Sequence, residues 1–256
     1  MKLSVCYITF NEERIIEKNI NTIYEIADEI IVLDSFSTDA TKEICSKFPK
    51  IKFVQKKFEG FGSQKNFALS EASGEWILFL DADEIPNEIA IDAIKEILKS
   101  NDPEFTVYNI HFNNILLNKT VRYGGWGNVW RERFFKRGYG KYSDDVVHES
   151  LLTEGKIGKL RGKIDHYTYQ SIAHHIEKMN KYTQRVAEER VRNGKKIFYF
   201  KIVFSPFLDF VKTYFFKLGF LDGVVGFYLA ITGAVYTFLK YIKMYEIVSA
   251  NSANIN

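Results

Sequence analysis

A chain of 256 residues with 46% apolar and 16% aromatic content has ample material for a buried core, as one large domain or one ordinary domain with an appendage. A formal charge of +3 is too small to point to nucleic acid. The two cysteines, Cys6 in an apolar run and Cys45 in a helical pattern, suggest a reducing compartment rather than a disulfide framework. Leu3 to Phe10 is too short and too polar for a secretory signal, and Asn11-Glu12-Glu13 cuts it off, so a cytoplasmic placement is expected.

Leu3 to Ile8 reads as a central strand. Asn11 fits an N-cap, with Ile15, Ile16, Ile20, Ile23 and Ile26 at helical spacing behind it. Ile30 to Leu33 is a second buried strand, ended by Asp34, and the polar turn Ser35 to Asp39 feeds a short helix through Phe48. Ile51 to Gln55 is a third strand. After a loop at Gly60 and Gly62, Ser63 to Ala72 predicts a helix carrying Lys65 and Asn66. Trp76 to Leu80 is apolar throughout, the pattern of a strand covered on both faces. It ends abruptly in Asp81-Ala82-Asp83-Glu84, and a helical pattern follows Pro86.

This β-α alternation predicts a doubly wound parallel sheet, in which ligands bind beyond the carboxyl ends of the strands. The rim there collects Thr9, Asn11, Asp34, Ser35, Asp81 and Asp83. It lacks the Gly-x-Gly-x-x-Gly loop of a dinucleotide-binding domain. Three acids within four residues at a buried strand end are costly without a cation, and positions i and i+2 can share one divalent ion. The competing reading is an N-cap and acidic first turn for the next helix.

Further on, Phe105 to Phe112 alternates as a strand, Asn113, Asn114 and Asn118 suggest a polar loop, and Val121 to Trp130 is rich in Gly and Trp. Arg131 to Arg137 is strand-like with bases at both ends, either an edge strand guarded by charge or a positive lip for phosphates. Ser171 to Gly194 predicts a polar helix burying Met179, Tyr182, Val186 and Ala187. Ile197 to Tyr245 is dominated by Phe, Tyr, Leu, Ile and Val, interleaved with lysines at 201, 212, 217, 240 and 243. Its longest uncharged run, Gly223 to Leu239, falls short of the roughly twenty apolar residues of a spanning helix. Gly223, Gly226 and Gly233 would permit close helix contact. Helices lying in an anionic bilayer interface, a core or dimer contact, and insertion are the alternatives. The polar stretch 249–256 reads as a loose tail.

ITFNEE at 8–13, IIVLDSFSTDAT at 30–41, GFGSQKNFAL at 60–69 and FLDADE at 79–84 resemble the successive motifs of family-2 glycosyltransferases. With YGGWGNVWRERFF, DDVVHESL and DHYTYQSI, the likeness extends to the small bacterial enzymes that add glucose to the lipopolysaccharide inner core. It implies an α/β GT-A fold over 1–170, with a nucleotide-sugar half to about residue 100 and an acceptor half beyond it. A helical membrane-associating region, 171–248, would follow, then the 249–256 tail. The resemblance implies an inverting, metal-dependent transferase moving a hexose, glucose foremost, from a UDP-sugar to a lipid-linked saccharide at the cytoplasmic face of the inner membrane. The lipopolysaccharide core is the leading acceptor, with an undecaprenyl-linked capsule or O-antigen intermediate as the alternative.

By position in the motifs, Asp34 matches the acid that meets the uracil ring, Thr9, Asn11 and Glu12 the stretch around base and ribose, and Lys65 a basic residue near the nucleotide. Asp83, with Asp81, matches the acids holding Mg²⁺ or Mn²⁺, Asp81 also facing ribose. Glu149 stands where the base that deprotonates the acceptor hydroxyl is placed, with Asp145 as the other candidate. Arg131, Arg133 and His148 are possible phosphate or acceptor contacts. The resemblance also offers His166 a place near the metal site, as a histidine has in some GT-A enzymes, but a lone histidine in an aromatic stretch is more often structural, and His166 stays outside the expected metal set. A metal-dependent nucleotidyltransferase also uses paired acids, but it would show a glycine- and arginine-rich triphosphate loop where Ile8 to Arg14 stands.

Overall fold

A computed structural model describes residues 1–100, 102–143, 150–169 and 171–253, the side chains of 251–253 excepted. The chain forms two compact units, Met1–Asn113 with Val129–His166, and Asn114–Asn128 with Tyr167–Asn256.

The first unit opens with β1 (Leu3–Thr9), α1 (Ile16–Ile23), β2 (Glu29–Asp34), α2 (Thr41–Ser46), β3 (Ile51–Gln55), α3 (Phe61–Ser70) and β4 (Trp76–Asp81). The four strands lie parallel in the order β3-β2-β1-β4, as the alternation predicts. The register sets Thr9 beside Asp34 and Ile8 beside Asp81, which brings the polar strand ends onto one rim. After Asp81 the chain turns into β5 (Glu84–Pro86) and α4 (Glu88–Lys99), the latter capped by the Asn87 side chain, which accepts from the Ala90 amide at 3.0 Å.

The strands β6 (Val107–Leu116), β7 (Lys119–Thr120), β8 (Val129–Lys136), β9 (Lys141–Tyr142), β10 (Leu151–Leu152) and β11 (Ile157–His166) follow. The sheet continues from β4 as β8-β6-β11-β5, with β8 antiparallel to β4 and β11 antiparallel to β5. The result is a mixed sheet whose parallel half matches the doubly wound expectation. Leu3, Val5, Tyr7, Val32, Leu78 and Leu80 pack on one face with Ile16, Ile20 and Ile23 of α1. Cys6, Ile31, Leu33, Ile77 and Phe79 pack on the other with Ala68 of α3. Removing each Val, Leu, Ile or Phe side chain among them from water contributes about 1.5–3 kcal/mol, and a strand covered on both faces therefore carries no polar alternation.

Three local expectations change. The strand after residue 105 runs on to Leu116, so Asn113 and Asn114 belong to β6 rather than to a loop. Asn113 donates to Asp165 at 2.8 Å and Asn114 to the Trp126 carbonyl at 2.6 Å, which satisfies both amides within the strand. The basic run 131–137 is no edge strand: β8 lies between β4 and β6, because its one deeply buried charge, Arg133, meets acids there. Asn11 is not an N-cap. Its φ of +58° is left-handed, its side chain accepts from the Thr38 amide at 2.8 Å, and the Glu12 carbonyl starts the helical turn.

In the second unit, the end of β6 pairs with β7, and α5 (Ile172–Arg192), α6 (Tyr199–Val211) and α7 (Gly223–Ala253) follow. Ser171 caps α5, accepting from the His174 amide at 3.1 Å. Its buried face is His175, Met179, Thr183 and Ala187, whereas the expected Tyr182 and Val186 are only half-buried. A π turn, Lys212–Phe216, and a 3₁₀ turn, Gly219–Asp222, connect α6 to α7. Gly226 is required there: a Cβ would stand 1.8 Å from the Gly219 carbonyl oxygen. Helix α7 runs through Ala253, past the start of the expected tail. Gly219–Ala250 is long and apolar enough to cross a membrane by length and composition.

Candidate functional site

The acids at the carboxyl end of β4 do meet cations, and these are the protein's own. Asp81 lies 3.1 Å from Lys65 Nζ and 3.2 Å from Arg133 Nη2. Arg133 Nε and Nη2 each donate to Glu84 at 2.7 Å, and Glu84 also accepts from the Asp81 amide at 3.1 Å. Lys65, Glu84 and Arg133 are only 1%, 1% and 6% exposed, so the Arg133–Glu84 pair sits in a low-dielectric setting where a lone charge would be very costly, while the Asp81 side chain, 31% exposed, reaches the rim. Burial pushes the Asp81 carboxyl up, but Lys65 and Arg133 outweigh it and hold the group well below the usual carboxylate range. Burial likewise opposes charge on Arg133, and Glu84 followed by Asp81 more than offsets it.

Lys65, expected near the nucleotide, is thus placed against Asp81, and Arg133, a possible phosphate or acceptor contact, against Asp81 and Glu84. Lys65 also lies 5.4 Å and 5.2 Å from the Phe79 and Tyr142 ring centres. Arg131 is exposed and its guanidinium lies 5.8 Å from the centre of the Phe112 ring, which Arg133 also approaches, at 5.5 Å.

Asp83 stands apart from this internal neutralisation. Its Oδ2 is 3.6 Å from His166 Nε2, and the two side chains are 22% and 21% exposed. Pairing of β11 with β5, His166 opposite Glu84, brings the histidine to the rim. Burial works against its protonation, yet Asp83 foremost, with Glu84 and Asp81 behind, raises its pKa above the ordinary value. A hard divalent ion takes one or two carboxylates and keeps waters or phosphates for the rest of its shell. Asp83 and His166 offer one oxygen and one nitrogen together, and Asp81 Oδ1, already 3.1 Å from Lys65 Nζ, is a further carboxylate oxygen of the same turn. This donor set fits such an ion, although no group of three or more candidate ligand side chains exists among the described residues.

The turn bearing the acids is held from behind by Asn19. Its buried amide donates to the carbonyls of Asp81 at 3.3 Å, Ala82 at 2.9 Å and Glu84 at 2.9 Å, and its oxygen accepts from Tyr7 Oη at 2.9 Å. Sequence reading passed over this residue. The signal was an amide sitting between Ile16 and Ile20 on the apolar face of α1, where a polar group needs a buried partner.

Asp34 is fully buried and its acceptor positions are taken. It accepts from Thr9 Oγ1 at 3.1 Å, the Ser37 amide at 2.8 Å, the Ser37 hydroxyl and Gln55 Nε2 at 3.1 Å. The Asn11 amide donates to Ser37 Oγ at 2.8 Å and the Glu12 amide to Thr41 Oγ1 at 2.9 Å. Thr9, Asn11, Glu12 and Asp34 are therefore drawn together as one hydrogen-bonded edge of the rim.

Asp145, His148 and Glu149 lie outside the described residues. The strands that bracket them are tied down: β9 pairs with β10, and Asn66 of α3 both donates to and accepts from the Tyr142 backbone at 2.8 Å.

A sheet of this order, with acids at the carboxyl ends of its parallel strands, is an α/β fold of GT-A type. Residues 4–161 match the family model for glycosyl transferase family 2, and the chain belongs to that family. It is 32% identical to the lipopolysaccharide core biosynthesis glycosyltransferase LpsC of Rhizobium meliloti, over 96% of this chain and 93% of LpsC. It is 31% identical to an uncharacterised glycosyltransferase of Rickettsia typhi, over 99% of this chain and 90% of that protein. The fold is similar to that of S. aureus TarS 1–349, solved in complex with UDP-GlcNAc, with a TM-score of 0.51 and 16% identity over 93% of this chain and 82% of that one.

Proposed function

We propose that this glycosyltransferase moves a hexose, glucose foremost, from a UDP-sugar to a lipid-linked saccharide of the lipopolysaccharide core, working at the cytoplasmic surface of the inner membrane. Similarity to LpsC along nearly the whole chain supports the acceptor class. The observation that carries the donor reading is the division of labour among the strand-end acids. Lys65 and Arg133 neutralise Asp81 and Glu84, and Asp83 is left beside His166 at the partly exposed rim.

In this reading Asp83 and His166 hold Mg²⁺ or Mn²⁺, with Asp81 behind them. The ion's chemistry is to offset charge on the departing diphosphate. Thr9, Asn11, Glu12 and Asp34 form the base and ribose edge, and because Asp34 is saturated, a base that bonds to it displaces one of its present donors. Glu149 accepts the proton of the attacking acceptor hydroxyl, on the face opposite the leaving group, and Asp145 is the substitute candidate. The acceptor oxygen forms its bond to the anomeric carbon as the bond to the diphosphate breaks, which inverts configuration.

Thermal shift and UDP-sugar hydrolysis, with and without Mn²⁺, test the assignment on wild type and Asp83→Ala. Metal-dependent stabilisation by UDP-glucose that disappears in the variant is expected. A wild-type protein that answers no UDP-sugar would overturn the donor class.

A further inference from the structure

We infer that the outer faces of α6 and α7 form one apolar surface that lies flat on an anionic lipid bilayer, and that α7 does not span it. This deepens the membrane reading above and depends on neither the donor nor the metal. On α6, Tyr199, Phe200, Val203, Phe204, Phe207 and Leu208 are 58–71% exposed, a stripe at helical spacing. On α7, Val224, Phe227, Ile231, Val235 and Phe238 repeat every three or four residues and are also exposed. The two helices pack on each other, and the stripes meet where exposed Tyr199 lies 5.9 Å from exposed Tyr245 and Phe227 lies 6.2 Å from Phe210 of α6. A water-facing patch of this extent on a soluble monomer would be unusual and marks a contact surface.

Charge selects the occupant. Between Lys195 and Lys243 there are seven lysines and only two acids, Asp209 and Asp222. Both acids are engaged internally: Asp209 accepts from Thr237 Oγ1, and Asp222 accepts from the Arg122 and Tyr123 amides at 3.0 and 2.8 Å. Lys212 and Lys217 are exposed at the turn between the helices. Aromatic side chains beside lysines, with both acids of that stretch held by internal donors and Glu246 the one exposed acid of α7 beyond it, suit the acyl–headgroup boundary of an anionic membrane.

The neighbour of α7 decides between lying and spanning. Helix α5 runs along it, joined by His175 Nδ1 to Tyr228 Oη at 2.7 Å and by Lys243 Nζ to Thr183 Oγ1 at 2.9 Å. Tyr228 to Lys243 covers about 22 Å of helix, most of a hydrocarbon core of roughly 30 Å. The outward side of α5, along and just beyond the stretch between these contacts, carries Glu177, Lys181, Arg185 and Glu188, all exposed. A spanning α7 would drag these charges into hydrocarbon, where each is strongly disfavoured. With α7 in the interface plane, α5 stays in water.

The full-length chain is tested against vesicles of phosphatidylcholine alone and with about one-third phosphatidylglycerol. Binding only to the anionic vesicles, weakening with salt, is expected. Phe204→Ser with Phe207→Ser should lower partitioning by about tenfold or more, and Lys212→Gln with Lys217→Gln by a similar factor. Unchanged melting and UDP-sugar hydrolysis show that the variants are folded, and failure of hydrolysis alone would count against the transferase reading rather than this one. In inverted inner-membrane vesicles, single cysteines at Asn193 and Ser249 should both react with an impermeant maleimide, the native Cys6 and Cys45 being buried. Protection of position 249 alone would show a spanning α7 and sink the proposal. So would equal binding to neutral vesicles, or no vesicle binding by a chain that self-associates through this face.

Discussion

Replacing Arg133 with Met removes the positive partner of two acids while roughly keeping side-chain volume. Arg133 is 6% exposed, and its guanidinium makes two 2.7 Å hydrogen bonds to Glu84 and a 3.2 Å contact with Asp81. Asp81 keeps Lys65 at 3.1 Å, but Glu84, 1% exposed, keeps only the Asp81 amide among its described contacts. Breaking a buried pair on one side costs about 3–5 kcal/mol, since the stranded charge cannot be resolvated. For a chain of this size that corresponds to a melting temperature lower by roughly 6–20 °C. Adding Glu84→Gln to Arg133→Met removes the stranded charge, so the double variant should recover at least about 1.5 kcal/mol relative to additivity. Urea titrations of wild type, both single variants and the double variant complete the cycle. A single Arg133→Met variant melting within about 2 °C of wild type, or a strictly additive double variant, would refute the argument that internal neutralisation holds the strand end.

Asn19→Leu should destabilise by about 1–3 kcal/mol, because three carbonyls of the Asp81–Glu84 turn lose their buried donor, and an unchanged urea midpoint would contradict this. It should also weaken the metal-dependent response to UDP-sugar, since the acids then lose their fixed placement. His175 is 6% exposed, stacked on Tyr169 at 4.1 Å, and burial foremost, then His174 and Lys178, lowers its pKa. A depressed histidine binds fewer protons folded than unfolded, so its contribution is complete above about pH 6.5 and lost as pH falls. Wild type should therefore lose stability more steeply than His175→Phe on going from about pH 7.5 to about pH 5, and parallel curves would disprove it. Gly226→Val should cost several kcal/mol, roughly the tail of single-substitution effects, as its Cβ would collide with the Gly219 carbonyl. Circular dichroism melts would read that loss directly.

The sequence by itself determined the parallel half of the sheet and the rim on which the polar residues gather. A strand covered on both faces is apolar along most of its length, so Leu3–Thr9, Glu29–Asp34 and Trp76–Asp81 announce both their burial and the point where it ends. Tertiary structure alone decided how the acids are stabilised. Arg133 reaches Glu84 across 49 positions of chain, and Asn19 reaches Ala82 across 63, separations at which no local pattern carries information. The basic run around Arg133 read equally well as an edge or a phosphate lip, because exposed and buried arginines look alike until a partner is placed beside them. The same holds for α7. Its length and hydropathy fit a span, a core helix or an interfacial helix, and the charged flank of α5 packed along it, which no local pattern of α7 reveals, weighs against a span through the high cost of taking charge out of water.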